Sequence, residues 1–144
     1  MDDLSKNTGD PKDKTVMIVD DDDNIRELLE FVLKKEGFQV VQAADGEEAL
    51  QKIPTGKPDL ILLDLMLPRY GGFEVLRQLQ SNSITKIPVL VLSGRYTDRS
   101  TAEMIRQESN VVDFIEKPVK PPVLAALVHN ILKTRPPTKA KPAS

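Results

Sequence analysis

Residues Asp59–Gly72 read DLILLDLMLPRYGG. Four consecutive aliphatic residues, Leu60 to Leu63, have the character of a buried strand, and the residue that follows them is a carboxylate, Asp64. A charge at the rim of an apolar layer costs about 2 kcal/mol or more unless something neutralises or solvates it. Whatever neutralises Asp64 should therefore be identifiable elsewhere in the chain.

Working outward, the same alternation of short apolar runs and helical periodicity repeats five times. VMIV (Val16–Val19) precedes a helix with Ile25, Leu28, Leu29, Val32 and Leu33 on one face, ended by Gly37. FQVVQA precedes a short helix carrying Ala49, Leu50 and Ile53; LILL precedes a helix that should bury Phe73, Leu76 and Leu79. VLVL (Val89–Leu92) leads to a weakly patterned helix around Ala102–Ile105. VVDFI (Val111–Ile115) leads to a last helix with Leu124, Leu127, Val128 and Ile131. Five βα units imply an α/β fold with a parallel sheet covered on both faces, because each right-handed crossover carries its helix onto one face. Three of the strands are unbroken aliphatic runs, as central parallel strands should be. Gln39 and Gln42 mark the second strand as an edge, and Asp113 and Glu116 mark the fifth.

The 144 residues suit one domain, and 40% hydrophobic with 29% charged residues is a globular composition. A formal net charge of −2 gives no electrostatic reason to expect nucleic acid. There is no cysteine, and so neither a disulfide nor a thiolate metal site. No apolar run approaches the roughly 18–20 residues that cross a membrane, and the first residues lack the apolar core of a signal peptide, so a cytoplasmic protein is expected. Residues 1–13 and 134–144 are polar, with Gly, Pro and Lys, and are expected to be flexible tails around a domain spanning 14–133.

In a sheet of this kind ligands bind beyond the carboxyl ends of the strands. Asp64 lies at one such end, and Asp20 and Asp21 of VDDDDN lie at another. Carboxylates a few ångströms apart repel by roughly 4 kcal/mol per pair at an effective dielectric near 20. A hard divalent cation removes that repulsion, and carboxylates, a carbonyl and waters are the ligands Mg²⁺ prefers. Ser93 and Lys117, at two further strand ends, supply a hydroxyl and an ammonium, both suited to a phosphoryl group. Asp64 is then placed to attack phosphorus and form an acyl phosphate. Asp22 and Asp23 fit a helix N-cap, and His129, the single histidine, has no acidic or nucleophilic companion in sequence and is expected at the surface or an edge.

The blocks VMIVDDDDNIRELL, DLILLDLMLPRYGGFEVL, VLVLSG and DFIEKP, in this order, resemble those of response-regulator receiver domains of two-component signalling, over about Lys14 to Lys133. The resemblance implies a flavodoxin-like (βα)5 doubly wound sheet of strand order 2-1-3-4-5, the order of this family. It implies phosphorylation of Asp64 by a histidine kinase or histidine phosphotransfer protein, in a bacterial phosphorelay. It further implies Mg²⁺ on Asp21, Asp64 and the backbone carbonyl of Met66, with Asp20 acting mostly through water. Ser93 and the aromatic at Phe114 would be the switch, and Met66 and Arg95 would flank the phosphoryl group and modulate its lifetime. The chain would then be a signalling domain catalysing only its own phosphorylation and dephosphorylation, acting on an unspecified output partner as a monomer or phosphorylation-dependent dimer.

Some positions depart from the family pattern. Gly71-Gly72 stands where Asp-Gly is usual, QESNVVDFIEKP lacks the common Ala-Gly-Ala before strand five, and VLAALVHNIL lacks the basic residues of receivers that dimerise as DNA-binding regulators. A magnesium-dependent phosphohydrolase is the rival enzyme class. It needs a second Asp two residues after the nucleophile, where this chain has Met66, and a substrate-capping insertion, which the sequence lacks. An interaction module independent of phosphorylation would have no need of Asp20, Asp21, Asp64, Ser93 and Lys117 together.

Overall fold

The structure is a computed structural model that describes residues 8–65, 72–81, 87–94, 99–108 and 110–137, with side chains at all of these except 72, 73, 80, 81, 101 and 102. Five strands alternate with five helices: β1 Thr15–Val19, α1 Asp23–Lys35, β2 Gln39–Ala43, α2 Gly46–Gly56, β3 Leu60–Asp64, α3 Gly72–Ser81, β4 Val89–Ser93, α4 Arg99–Arg106, β5 Val111–Glu116 and α5 Pro121–Leu132. The strands form one parallel sheet in the order β2-β1-β3-β4-β5. The expected edges, β2 and β5, are the edges. The chain reverses its direction of winding between β1 and β3, which leaves a crevice at their carboxyl ends.

The period of two along each strand divides the core in half. Met17, Val19, Ile61, Leu63, Val89 and Val91 face one layer, formed by Ala49, Ile53, Val75, Leu76, Leu79 and Ile105 from α2, α3 and α4. Val16, Ile18, Leu60, Leu62, Leu90 and Leu92 face the other, formed by Leu29, Val32, Leu33, Leu124 and Val128 from α1 and α5. Because both faces of the central strands are covered, β1, β3 and β4 read as unbroken aliphatic runs. Gly37 follows α1 with φ +102°, a left-handed turn that a side chain would resist.

Several expectations need correction. Leu28, placed on the buried face of α1, is 49% exposed, because the contact face is centred on Leu29, Val32 and Leu33. The burial of Phe73 and the packing of Ala102 concern side chains outside those described. Described residues outside the expected 14–133 limits also make contacts with the fold. Pro11 is buried in a short 3-10 turn capped by Asp10, and Gly9 pairs in parallel with Thr134, which is fully buried. The Gly9 amide donates to the Lys133 carbonyl at 2.9 Å and the Arg135 amide to the Gly9 carbonyl at 2.8 Å. Residues on both sides of the expected 14–133 limits are thus part of the packed fold.

His129, expected at the surface, is 2% exposed. Its Nε2 lies 2.9 Å from Glu36 Oε1, its Nδ1 lies 2.7 Å from Thr134 Oγ1, and its ring centroid lies 4.9 Å from that of Phe38. An ionised carboxylate can only accept, so Nε2 carries a proton and donates to Glu36, and in the neutral ring Nδ1 accepts from the Thr134 hydroxyl. The acidic partner, Glu36 at the end of α1, is 93 residues away in the chain, and this is why the histidine looked solitary in the sequence; Thr134 lies only five residues on, just beyond α5.

Candidate phosphoacceptor site

The strand ends deliver the site. Asp20 follows β1 directly, and Asp64 and Ser93 are the last residues of β3 and β4; they are 0%, 4% and 5% exposed. Each is pinned where it is by the ladder: β3 and β4 stay paired to Asp64↔Leu92, and β4 and β5 to Ser93↔Glu116. The Lys117 amide then donates to the Ser93 carbonyl at 2.7 Å, which brings Lys117 off the end of β5 toward the middle of the sheet. The Lys117–Pro118 peptide is cis. Asp22 caps α1, its carboxylate accepting from the amides of Asn24 and Ile25, so the acidic run divides as the sequence indicated into two site residues and a helix start.

The neutraliser that Asp64 demands is present in part within the protein. Lys117 Nζ lies 2.9 Å from Asp20 Oδ2 and 3.3 Å from Asp64 Oδ2. Burial alone would pull this ammonium down, but the hydrogen bond to Asp20 and the charges of Asp64 and Asp20 outweigh it and hold Lys117 above the ordinary lysine range. Lys117 pairs with two of three clustered carboxylates. A carboxylate oxygen from each of Asp20, Asp21 and Asp64 lies within 4.8 Å of the others, with Asp21 exposed to solvent. At such a spacing each like-charged pair repels by about 3–4 kcal/mol for an effective dielectric of about 20. The donors are all hard oxygens, one of them open to water, and this set fits a divalent ion such as Mg²⁺.

The elements around the site extend its reach. Lys117 also lines a groove of about 660 Å³ between β5 and α5, with Phe114, Pro118, Val123 and Leu127. Phe114 is half-buried, and the Arg106 guanidinium at the end of α4 lies 5.1 Å from its ring centroid. Against the main chain of the acidic loop stands a residue the sequence reading passed over. Arg26 Nη1 donates to the Asp20 carbonyl at 2.6 Å. The sequence did hold a signal for it: Arg26 follows Asp23 by three residues, one turn along α1, and the two side chains pair. Met66 and Arg95 lie outside the described residues, so the structure brings together Asp20, Asp21, Asp64, Ser93 and Lys117 of the predicted set, with Phe114 opposite Val91, two pairs back from Ser93↔Glu116.

A parallel five-stranded sheet of this order, with carboxylates at the ends of its first and third strands and a lysine after its fifth, defines a phosphoacceptor class of signalling domain. The chain belongs to the response regulator receiver domain family, whose family model matches residues 16–129. It is 39% identical over 120 residues to the alkaline phosphatase synthesis transcriptional regulatory protein PhoP of Bacillus subtilis, covering 83% of this chain and 49% of that protein. It is 38% identical over 118 residues to the DNA-binding response regulator MtrA of Mycolicibacterium smegmatis, covering 82% of this chain and 50% of MtrA. The chain thus spans about half the length of these curated relatives. Among solved structures it resembles the receiver domain of NtrX from Brucella abortus, with TM-score 0.74 and 31% identity over 83% of this chain and 98% of that one. It also resembles the Vibrio cholerae chemotaxis protein CheY4, with TM-score 0.75 and 29% identity over 83% and 98% of the two chains.

Proposed function

We propose that Asp64 accepts a phosphoryl group from a phosphohistidine of a histidine kinase or phosphotransfer protein, and that Mg²⁺ is required. The observation that carries this reading is the convergence of Asp20, Asp21 and Asp64 on one point, with the Lys117 ammonium within 3.3 Å of Asp64. In the transfer an Asp64 carboxylate oxygen forms the new O–P bond as the donor's N–P bond breaks, and the electron pair returns to the donor imidazole. Asp21, Asp64 and Asp20 would hold the cation, which supplies charge neutralisation to the phosphoryl oxygens. Lys117 is in place to exchange its contact with Asp64 for a phosphoryl oxygen, and Ser93, at the neighbouring strand end, donates its hydroxyl to another.

Release of Lys117 and recruitment of Ser93 give the acceptor chemistry a mechanical output. Lys117 lines the β5–α5 groove and Phe114 spans from that strand to Arg106 of α4, so a change at the strand ends biases the α4–β5–α5 surface between two arrangements. Phe114 serves as the packing element of this switch, and Met66 and Arg95 set the lifetime of the phosphoryl group. The domain catalyses its own phosphorylation and dephosphorylation and no other reaction. We place it in the cytoplasm; separately, no described helix is long and apolar enough to cross a membrane.

Incubation with acetyl phosphate and Mg²⁺, followed by intact-mass spectrometry, tests the assignment. One base-labile phosphoryl group is expected on the parent chain and none on Asp64→Asn. Equal modification of the Asn variant would overturn it.

A further inference from the structure

Asp20 is held from four directions. Its amide donates to the Ala43 carbonyl at 3.2 Å, its Oδ1 accepts from the Asp22 amide at 3.0 Å, and its Oδ2 accepts from Lys117 at 2.9 Å. The fourth contact, to its main-chain carbonyl, comes from Arg26 Nη1 at 2.6 Å. The Arg26 side chain is 13% exposed, and its fork is fully engaged: Nη2 pairs with Asp23, and Nε donates to Gln42 Oε1 at 3.0 Å. Gln42 in turn donates from Nε2 to Glu30 Oε1 at 2.6 Å, and Glu30 is paired with Lys34 at 3.1 Å. A continuous polar path, Asp20–Arg26–Gln42–Glu30, therefore runs from the acidic cluster to α1, across to the edge strand β2 and back to α1.

The peptide unit is planar, so pinning the Asp20 carbonyl also fixes the plane that carries the Asp21 amide, and with it the direction in which Asp21 presents its carboxylate. Asp21 is exposed, so burial does not fix its position. We propose that Arg26 is a positioning residue for the divalent cation, ordering the loop of Asp20 and Asp21, and that Gln42 and Glu30 hold Arg26 in place for this. The inference rests on the reading of Asp20, Asp21 and Asp64 as a cation site. It is the kind of outer support that metal ligands require if their geometry is to be ready before the ion arrives. Glu30 suits its end of the path, since the hydrogen bond from Gln42 and then the contact with Lys34 keep its carboxyl below the usual range and thus ionised.

Charge and position make opposite demands here, which is what renders the proposal testable. A guanidinium beside a cation site repels the cation, so an Arg26 acting through charge alone would hinder binding, and its removal would tighten it. An Arg26 acting by position aids binding, and its removal weakens it.

The experiment is a calorimetric titration of the whole chain with Mg²⁺, for the parent, Arg26→Met and Gln42→Met, beside melting curves in chelator. Arg26→Met is expected to raise the dissociation constant by about tenfold or more, as loss of a support to metal ligands does. Gln42→Met leaves every charge unchanged and is expected to raise it by about threefold, the size of coupling carried along such a path. An Arg26→Met chain that binds Mg²⁺ as well as the parent or better overturns the proposal, whatever its melting temperature. If Arg26→Met fails to fold, Gln42→Met decides, and an unchanged dissociation constant there overturns it too. A parent chain that binds no Mg²⁺ instead overturns the cation site itself, and that failure is recognised before any variant is made.

Discussion

The two ends of the sheet treat buried polar groups in opposite ways. At the carboxyl ends of the strands, Asp20, Asp21 and Asp64 crowd within 4.8 Å, and Lys117 pairs with Asp20 and Asp64. At the amino ends, His129, Glu36 and Thr134 form a buried set in which each group of the ring meets one partner at 2.7–2.9 Å. The second arrangement is complete and serves stability: it ties the end of α1 to the end of α5 and anchors the Gly9–Thr134 pairing. The first sets three carboxylates close together, and under the proposed function a bound cation would relieve their repulsion and stabilise the fold. Where a fold of this size tolerates such repulsion, binding is what compensates it.

The strongest way to break the comparison is at the completed end. His129→Ala would leave Glu36 and Thr134 without their partner and open space against Phe38, and a loss of about 3 kcal/mol in unfolding free energy is expected. Urea denaturation measures it, and phosphorylation of the residual folded protein should be unaffected. A loss under about 1 kcal/mol would mean that this network does not carry the stability assigned to it.

The acidic end should respond less and with the opposite sign. Mg²⁺ at ten times its dissociation constant should stabilise the parent by about 1.4 kcal/mol, visible as a higher melting temperature. Asp21→Ala should abolish that response, and in chelator it should stabilise the chain by less than about 1 kcal/mol, since Asp21 is exposed and its repulsion is screened. An Asp21→Ala chain that is less stable without metal yet still responds to Mg²⁺ would show that repulsion is not what organises this end of the sheet.

The contrast also accounts for what the sequence made legible. Aliphatic runs such as Leu60–Leu63 are read directly because a central parallel strand is buried on both faces, and a polar residue at the end of such a run, Asp64 or Ser93, announces itself by its neighbours. Lys117 was found in the same way, though not its role as the protein's own counter-charge to Asp20 and Asp64, which depends on how far β5 reaches. His129, Thr134 and Glu36 were illegible for a physical reason: each is an ordinary polar residue at a helix end, and what unites them is the contact of His129 with Glu36, 93 residues away in the chain. A hint lay in α5, which has no charged side chain from Pro121 to Leu132, and a helix so weakly polar on every side tends to be buried more broadly than one stripe. Arg26 falls between these cases. Its pairing with Asp23 was readable from helical spacing, whereas its bonds to Asp20 and Gln42 exist only once β1 and β2 lie side by side.

The central claim is that the acidic cluster acts through Asp64 as acceptor, with Asp20 and Asp21 as its supports. Reduction of the freshly phosphorylated chain with borohydride converts an aspartyl phosphate to homoserine, and peptide mapping then locates the modified residue. The account predicts homoserine at position 64 alone, dependent on both phosphoryl donor and Mg²⁺. Homoserine at position 20 or 21, or at 64 in equal yield without Mg²⁺, would contradict it.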